Sequence, residues 1–133
     1  MKIYCDTNIF LDFFEQRSDK LRPLGAFAFD CFSNGWNCRF NLVISDWVTE
    51  EFDKHSKKEI NDILEQFRKK EKLIFVNYDE NDKKRAKSLS KNWQDALHAI
   101  IAGKEKCDFL VTRNIKDFSE FQHIVDITLP ESV

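Results

Sequence analysis

The sequence has few of the features that mark repetitive, linker-rich or membrane-spanning chains. Among 133 residues there are only 3 Gly and 2 Pro, and there is no repeat or low-complexity segment. No apolar run approaches the roughly 20 residues of a membrane-spanning helix, and the N-terminus Met1–Asp6 lacks the longer apolar run of a secretory signal. These absences predict a single globular domain, residues 1–133, in the cytoplasm.

Cysteine and histidine are too scattered to indicate a disulfide framework or a zinc site. The 4 Cys include no Cys-x-x-Cys pair, so reduced core thiols are expected. The 3 His, at positions 55, 98 and 123, form no ligand pattern. His98 lies three residues after Asp95 and could contact a site there. A position in the core, or a role in supporting the site residues, is expected for it.

The overall charge gives no sign of a nucleic-acid partner, because the net charge is −2 and the pI is about 5.9. Two local clusters are basic. One contains Lys83, Lys84, Arg85, Lys87 and Lys91, and the other contains Arg68, Lys69, Lys70 and Lys72. Each cluster alone is typical of a solvated helix face, although a run of bases can also contact nucleic acid.

Strand patterns alternate with helix patterns along the chain. Strands are predicted at 2–5, 39–44, 73–76, 109–111 and 124–127, and helical spacing of apolar residues fills the intervals between them. Asn34-Gly35 is predicted to end the second helix, and two helices are predicted between Glu80 and Lys104. This order predicts an α/β domain with a mainly parallel sheet, whose functional site lies at the carboxyl ends of the strands.

Four acidic residues fall at or near those strand ends. Asp6 and Asp117 follow predicted strands, Glu51 lies about two helical turns after another, and Asp95 precedes the apolar helix segment 96–102. A buried carboxylate is costly unless a cation or hydrogen-bond donors satisfy it. Taken singly, the four could be a helix cap, a surface residue, a helix-dipole charge and a turn residue.

Taken together, the four carboxylates suit a hard divalent cation. Oxygen ligands favour Mg²⁺ or Mn²⁺, whereas zinc sites favour His and Cys. Because no candidate nucleophile accompanies the acids, the set indicates activation of water by metal and attack on phosphorus.

Four sequence segments resemble motifs of PIN-domain nucleases, and they appear in the same order as in that family. They are Tyr-Cys-Asp-Thr-Asn-Ile-Phe-Leu-Asp at 4–12, Ile-Ser-Asp-Trp-Val-Thr-Glu-Glu-Phe at 44–52, Asp-Ala-Leu-His-Ala-Ile-Ile-Ala at 95–102 and Leu-Val-Thr-Arg-Asn-Ile-Lys-Asp-Phe at 110–118. The resemblance spans nearly the whole chain. It implies a three-layer α/β/α sandwich, metal-dependent endonucleolytic cleavage of RNA, and similarity to the toxins of VapC-type toxin–antitoxin pairs.

The resemblance also implies a set of site residues. Asp6, Glu51 and Asp95 match the family's three best-defined acidic positions, and Asn8 belongs to its Asp-x-Asn turn. For the fourth position, Asn114 stands where some members have an acid, which leaves Asp117 as the acidic candidate. Thr112 and Asn114 are then expected to orient Asp117 or a water by hydrogen bonding. One firm Mg²⁺ or Mn²⁺, with a second recruited by RNA phosphate, is expected.

Partners follow from the same resemblance. An RNA substrate, an antitoxin protein and a homodimer are expected, and the candidate RNA contacts are Arg113, Lys83, Lys84, Arg85 and Lys87. Two rival functions remain open. One is a PIN-like module that binds RNA or protein without catalysis. The other is a receiver-like or phosphatase-like domain with Asp6 as phosphoryl acceptor, for which no Lys after a late strand provides support.

Overall fold

The computed structural model describes residues 1–15, 23–52 and 57–133, so His55 lies outside the described residues. The strands are β1 (Lys2–Cys5), β2 (Asn41–Ser45), β3 (Leu73–Val76), β4 (Phe109–Val111) and β5 (Ile127–Thr128). The α-helices are α1 (Thr7–Glu15), α2 (Leu24–Trp36), α3 (Asp46–Phe52), α4 (Lys57–Lys69), α5 (Glu80–Leu89), α6 (Trp93–Lys104) and α7 (Ile115–Phe118). Short 3₁₀ turns cover Ser119–Phe121 and Pro130–Ser132.

Across the described ranges the strands form one five-stranded sheet in the order β3-β2-β1-β4-β5, and every pairing is parallel. The connections from β1 to β3 step toward one edge of the sheet, and the later ones toward the other. Right-handed crossovers therefore place helices on both faces. Contacts agree, since α2 packs on α1 and α4 while α6 packs on α5 and α7. The predicted three-layer α/β/α arrangement is confirmed.

The central strand shows why the sheet is covered on both sides. Ile3, Tyr4 and Cys5 are consecutive and at most 1% exposed, although their side chains point alternately to the two faces. A strand buried on both faces reads as a continuous apolar run rather than an alternating one. The carboxyl ends of β1 and β4 lie side by side at the point where the winding reverses, which is where α/β sheets open a crevice.

The bounds of two strands differ from the predictions. The second strand is Asn41–Ser45 rather than 39–44, and the last is Ile127–Thr128 rather than 124–127. Ile124 and Val125 instead turn back onto Phe121, whose carbonyl accepts both of their amides at 2.9 and 3.3 Å. Their apolar character reflects packing in a turn, and β-type composition alone does not distinguish the two.

The second helix also continues one residue beyond its predicted end at Asn34-Gly35. It ends at Trp36, and the left-handed residue after it is Cys38, with a φ of 63°. Gly35 lies within the last helical turn, where the rings of Phe67 and Phe40 leave no room for a Cβ atom. Close packing against α4, rather than chain reversal, explains this glycine.

Helices α5 and α6 form a pair on one side of the sheet. A capping box starts α5, because the Asp82 amide donates to Asp79 at 2.9 Å and the Asp79 amide donates to Asp82 at 3.0 Å. The Lys104 ammonium near the end of α6 donates to Asp82 at 2.8 Å. Within the described part of the chain, no helix is long and apolar enough to cross a membrane.

Candidate metal centre

Asp6 lies immediately after β1 and is 2% exposed. Its Oδ1 accepts the Asn8 amide at 2.8 Å and the Ile9 amide at 3.3 Å, which caps the start of α1. Its Oδ2 accepts the Thr112 hydroxyl at 2.6 Å. One oxygen of this carboxylate therefore caps α1, and the other binds the residue that follows β4.

Thr112 and Asn114 come from the turn after β4. The Thr112 hydroxyl has one proton to donate and gives it to Asp6, rather than to Asp117 as the sequence suggested. The Asn114 amide donates to the Thr112 oxygen at 3.1 Å. Thr112 thus joins the ends of the two central strands, and Asn114 supports it through the backbone.

Asp95 lies in the first turn of α6 and is half-buried. The Asn92 side chain, at the N-cap position, donates to Asp95 Oδ2 at 2.6 Å. The helix dipole favours a negative charge at this end, so the helix-terminal explanation of Asp95 is also correct locally. Asn92 was not identified from the sequence, although a cap residue three positions before an acid was the available signal.

Glu51 projects from α3 toward the start of α1 and toward α6. Its Oε1 accepts the Thr7 hydroxyl at 2.7 Å and contacts His98 Nε2 at 2.6 Å. The Glu51 side chain is 30% exposed, whereas that of His98 is 2% exposed. The structure therefore brings Glu51 into the same crevice as Asp6 and Asp95, but with one oxygen already held by donors. Thr7 was missed, although it directly follows Asp6.

Asp117 is exposed in the first turn of the short helix α7. It lies close enough to Asp95 to act on its ionisation. Its amide donates to the Asn114 carbonyl at 3.0 Å, so the turn after β4 holds both candidates for the fourth position.

The pKa values show that the four acids form one electrostatic cluster. Burial, reinforced by the charge of Asp95, raises the pKa of Asp6 to about 6 despite the Thr112 hydrogen bond. Burial also raises the pKa of Asp95, with added repulsion from Glu51 and Asp117. Burial alone would raise the pKa of Glu51, but the hydrogen bonds from His98 and Thr7 prevail and lower it. Ionised Asp6 and Asp95 are thus under electrostatic strain that a cation would relieve.

Arg113 and the basic helix lie around this cluster. The Arg113 guanidinium is 2.9 Å from the carboxylate of Asp12, which is 1% exposed, so it links the turn after β4 to α1. On α5, the ammonium groups of Lys83 and Lys87 lie 5.6 and 4.9 Å from the centre of the Trp93 ring. Trp93 is the first residue of α6, the helix that carries Asp95, so these lysines lie over the start of that helix. Lys84 and Arg85 are exposed on the same helix.

Comparison with known proteins adds a likeness in fold. No protein-family model and no curated protein matches the chain. Among solved structures, a chain in the crystal structure of VapBC2 from Rickettsia felis, bound to a DNA fragment from their promoter, is similar with a TM-score of 0.62. The match covers 97% of this chain and 98% of that chain at 18% sequence identity. The likeness shows the fold alone. It agrees with the architecture that the PIN resemblance implied.

Proposed function

We propose that this chain is a metal-dependent endoribonuclease and the toxin of a VapC-type toxin–antitoxin pair. The observation that carries the proposal is the convergence of Asp6, Glu51, Asp95 and Asp117 at the carboxyl edge of the sheet, where each affects or is affected by the ionisation of another. The four come from different elements along most of the chain, so their meeting is a property of the fold. The likeness to a chain of a VapBC complex supports the same proposal.

The donor set fits Mg²⁺ or Mn²⁺. Asp6 and Asp95 would hold the ion, with Asp117 and the second oxygen of Glu51 completing the oxygen ligands. Bound there, the ion would lower the pKa of water and stabilise negative charge on a phosphate. The protein's own part is to hold these carboxylates in place. Thr112 fixes one oxygen of Asp6 and Asn92 fixes one oxygen of Asp95, while Thr7 and His98 fix one oxygen of Glu51.

The test is cleavage of single-stranded RNA by the purified chain with Mn²⁺ and with EDTA. We expect cleavage with Mn²⁺ only, and calorimetric Mn²⁺ binding that is lost in Asp6→Ala. Asp126→Asn is the matched control. Asp126 is an exposed acid just before β5, so it lies at the amino-terminal ends of the strands, away from the candidate site. Equal Mn²⁺ binding by the wild type and Asp6→Ala would remove the site from the proposal.

One observation favours a second candidate, a PIN-like module that binds RNA or protein without catalysis. Among the described residues, no three His, Cys, Asp or Glu side chains form a ready-made metal site. Glu51 is directed to Thr7 and His98 instead. Metal affinity separates the candidates, because a binding-only module would show RNA binding with no Mn²⁺ uptake.

We further propose that Lys83 and Lys87 contact the RNA backbone. The two are one helical turn apart on α5, and both pack over Trp93, so their charges are held at the start of α6, the helix that carries Asp95. We expect Lys83→Gln/Lys87→Gln to weaken RNA binding similarly for all sequences and to reduce the salt dependence by roughly 0.7 for each phosphate that is no longer neutralised. Trp93 itself packs against Trp47, with ring centres 5.6 Å apart, and serves as their support.

Fluorescence titrations over a range of salt concentrations measure this effect. The matched control is Lys69→Gln/Lys106→Gln, which removes the same charge from two exposed lysines near the opposite edge of the sheet. If both double variants had the same salt slope, the α5 lysines would not be a specific RNA contact. Contacts by Lys84, Arg85 and Arg113 stay predictions, and Arg113 already neutralises Asp12.

The partner predictions also remain proposals. Phe29 and Phe75 are 50% and 53% exposed, and apolar surface of this kind is what a second copy or an antitoxin would cover. Light scattering of the isolated chain at micromolar concentration checks the homodimer, and a strict monomer would contradict it.

A further inference from the structure

A buried row of hydrogen bonds ends on Glu51. The Tyr4 hydroxyl lies 2.7 Å from the Ser45 hydroxyl and 2.7 Å from His98 Nδ1. The opposite ring nitrogen, His98 Nε2, lies 2.6 Å from Glu51 Oε1. Ser45, Tyr4 and His98 are at most 2% exposed. The row therefore connects β2, β1, α6 and α3 through groups that are shielded from water.

The chemistry of the end groups gives the row one direction. An ionised carboxylate can only accept a hydrogen bond, so across the 2.6 Å contact His98 Nε2 donates to Glu51 Oε1. Tyr4 is 0% exposed, and its hydroxyl has one proton to donate and an oxygen that can accept. In a neutral ring, Nδ1 then accepts the Tyr4 proton, the Tyr4 oxygen accepts from Ser45, and Ser45 accepts the Val48 amide at 3.3 Å. Each proton has one acceptor.

We propose that His98, held by Tyr4, is a positioning residue that orients the carboxylate of Glu51 in the active site. The inference rests on the proposed nuclease function. Because His98 and Thr7 both engage Oε1, rotation of the carboxylate is restricted and Oε2 is left for water or a metal ion. His98 is also three residues after Asp95 on α6, a spacing that places both on one helix face. Helix α6 thereby positions the Asp95 carboxylate directly and the Glu51 carboxylate through His98.

The ring itself has little freedom. Its centre lies 5.6 Å from the ring centre of Tyr4 and 6.2 Å from that of Trp47. A ring packed on two sides and bonded at both nitrogens has a single orientation. Supports of this kind around metal ligands typically change metal affinity or activity by about 10- to 100-fold when they are removed.

Two amide substitutions at position 98 separate positioning from packing. In His98→Gln the longer side chain brings an N–H donor near the place of Nε2, whereas in His98→Asn the shorter one ends near Nδ1. We expect His98→Asn to lower kcat and Mn²⁺ affinity by roughly 10- to 100-fold with little change in KM. His98→Gln should stay within a few-fold of the wild type. Tyr4→Phe, which keeps the donor to Glu51 but frees the ring, should fall between them.

The outcomes distinguish this inference from the proposed function. If the wild type cleaves RNA and His98→Asn matches it in kcat and Mn²⁺ affinity, the inference is wrong and the function stands. If the wild type neither cleaves RNA nor binds Mn²⁺, the function fails, and ¹⁵N NMR of His98 in the metal-free protein decides the donor direction. A proton on Nε2 supports the row as described, and a neutral ring protonated on Nδ1 overturns it. The NMR result also decides the case if both amide variants fail to fold.

Discussion

Asp95→Asn is expected to reduce RNA cleavage by about a thousand-fold or more, which corresponds to roughly 4 kcal/mol of transition-state stabilisation. The same variant should melt in EDTA at the wild-type temperature or above. Burial and repulsion from Glu51 and Asp117 raise the pKa of Asp95, so its charge costs free energy when no cation is present. Asn keeps the shape and removes that cost. Functional sites commonly trade stability for activity in this way.

Cleavage of single-stranded RNA in Mn²⁺, paired with melting curves in EDTA, measures both effects. Asp126→Asn, at the amino-terminal ends of the strands, should leave cleavage unchanged. A mere helix-terminal role would give the opposite pattern, because losing a charge that the α6 dipole favours would weaken the fold and spare cleavage. Retained cleavage by Asp95→Asn would end the active-site assignment, whichever way the melting temperature moved.

The stability of the metal-free protein is expected to fall as the pH rises through the titration of Asp6. A carboxyl group whose folded pKa is raised favours the folded state only while it is protonated. For Asp6 the shift is from 3.8 to about 6, so the contribution is fully present below about pH 4 and is lost above about pH 6. The free energy of unfolding should decrease by about 3 kcal/mol across that window. Asp95 contributes in the same direction.

Urea unfolding in EDTA at a series of pH values measures how the free energy of unfolding depends on pH. Comparison with Asp6→Asn isolates the contribution of Asp6. Asn retains an oxygen to cap α1 and does not titrate, so the variant should have a flatter profile between about pH 4 and pH 6. Glu51, whose pKa is lowered, is present in both proteins, so its contribution cancels in the difference between the two profiles. Identical slopes for the two proteins would show that Asp6 is not the strained carboxylate described above.

Much of the architecture was predictable because the local secondary-structure preferences of the sequence match the elements of the fold. The order of strands and helices, the parallel sheet and the pair of helices between Glu80 and Lys104 all follow from apolar periodicity, and the structure confirms them. The misplaced last strand shows the limit. Ile124 and Val125 have strand-like composition, yet they pack in a turn on Phe121, and composition reports burial rather than conformation.

The acids proposed for the site could be identified in the sequence, whereas their hydrogen-bond partners could not. Acids after strands and at helix starts could be identified one by one, and parallel topology implies that they share an edge. Nothing in the spacing could show that Thr112 would bond Asp6 across 106 positions, or that His98 would reach Glu51 across 47. Such pairs depend on which strands are neighbours and on side-chain orientation, both of which are decided by packing.

The sequence by itself determined the fold class and supplied the four candidate carboxylates, because these depend on local periodicity and on residue type. Only the tertiary structure decided which carboxylate oxygens accept hydrogen bonds from other groups of the protein. It divided Asp6 between the α1 cap and Thr112, directed one oxygen of Glu51 to His98 and Thr7, and paired Arg113 with Asp12. The physical reason is burial. A polar group removed from water must find a partner within hydrogen-bonding distance, and the nearest partner in the folded chain is set by topology rather than by position in the sequence.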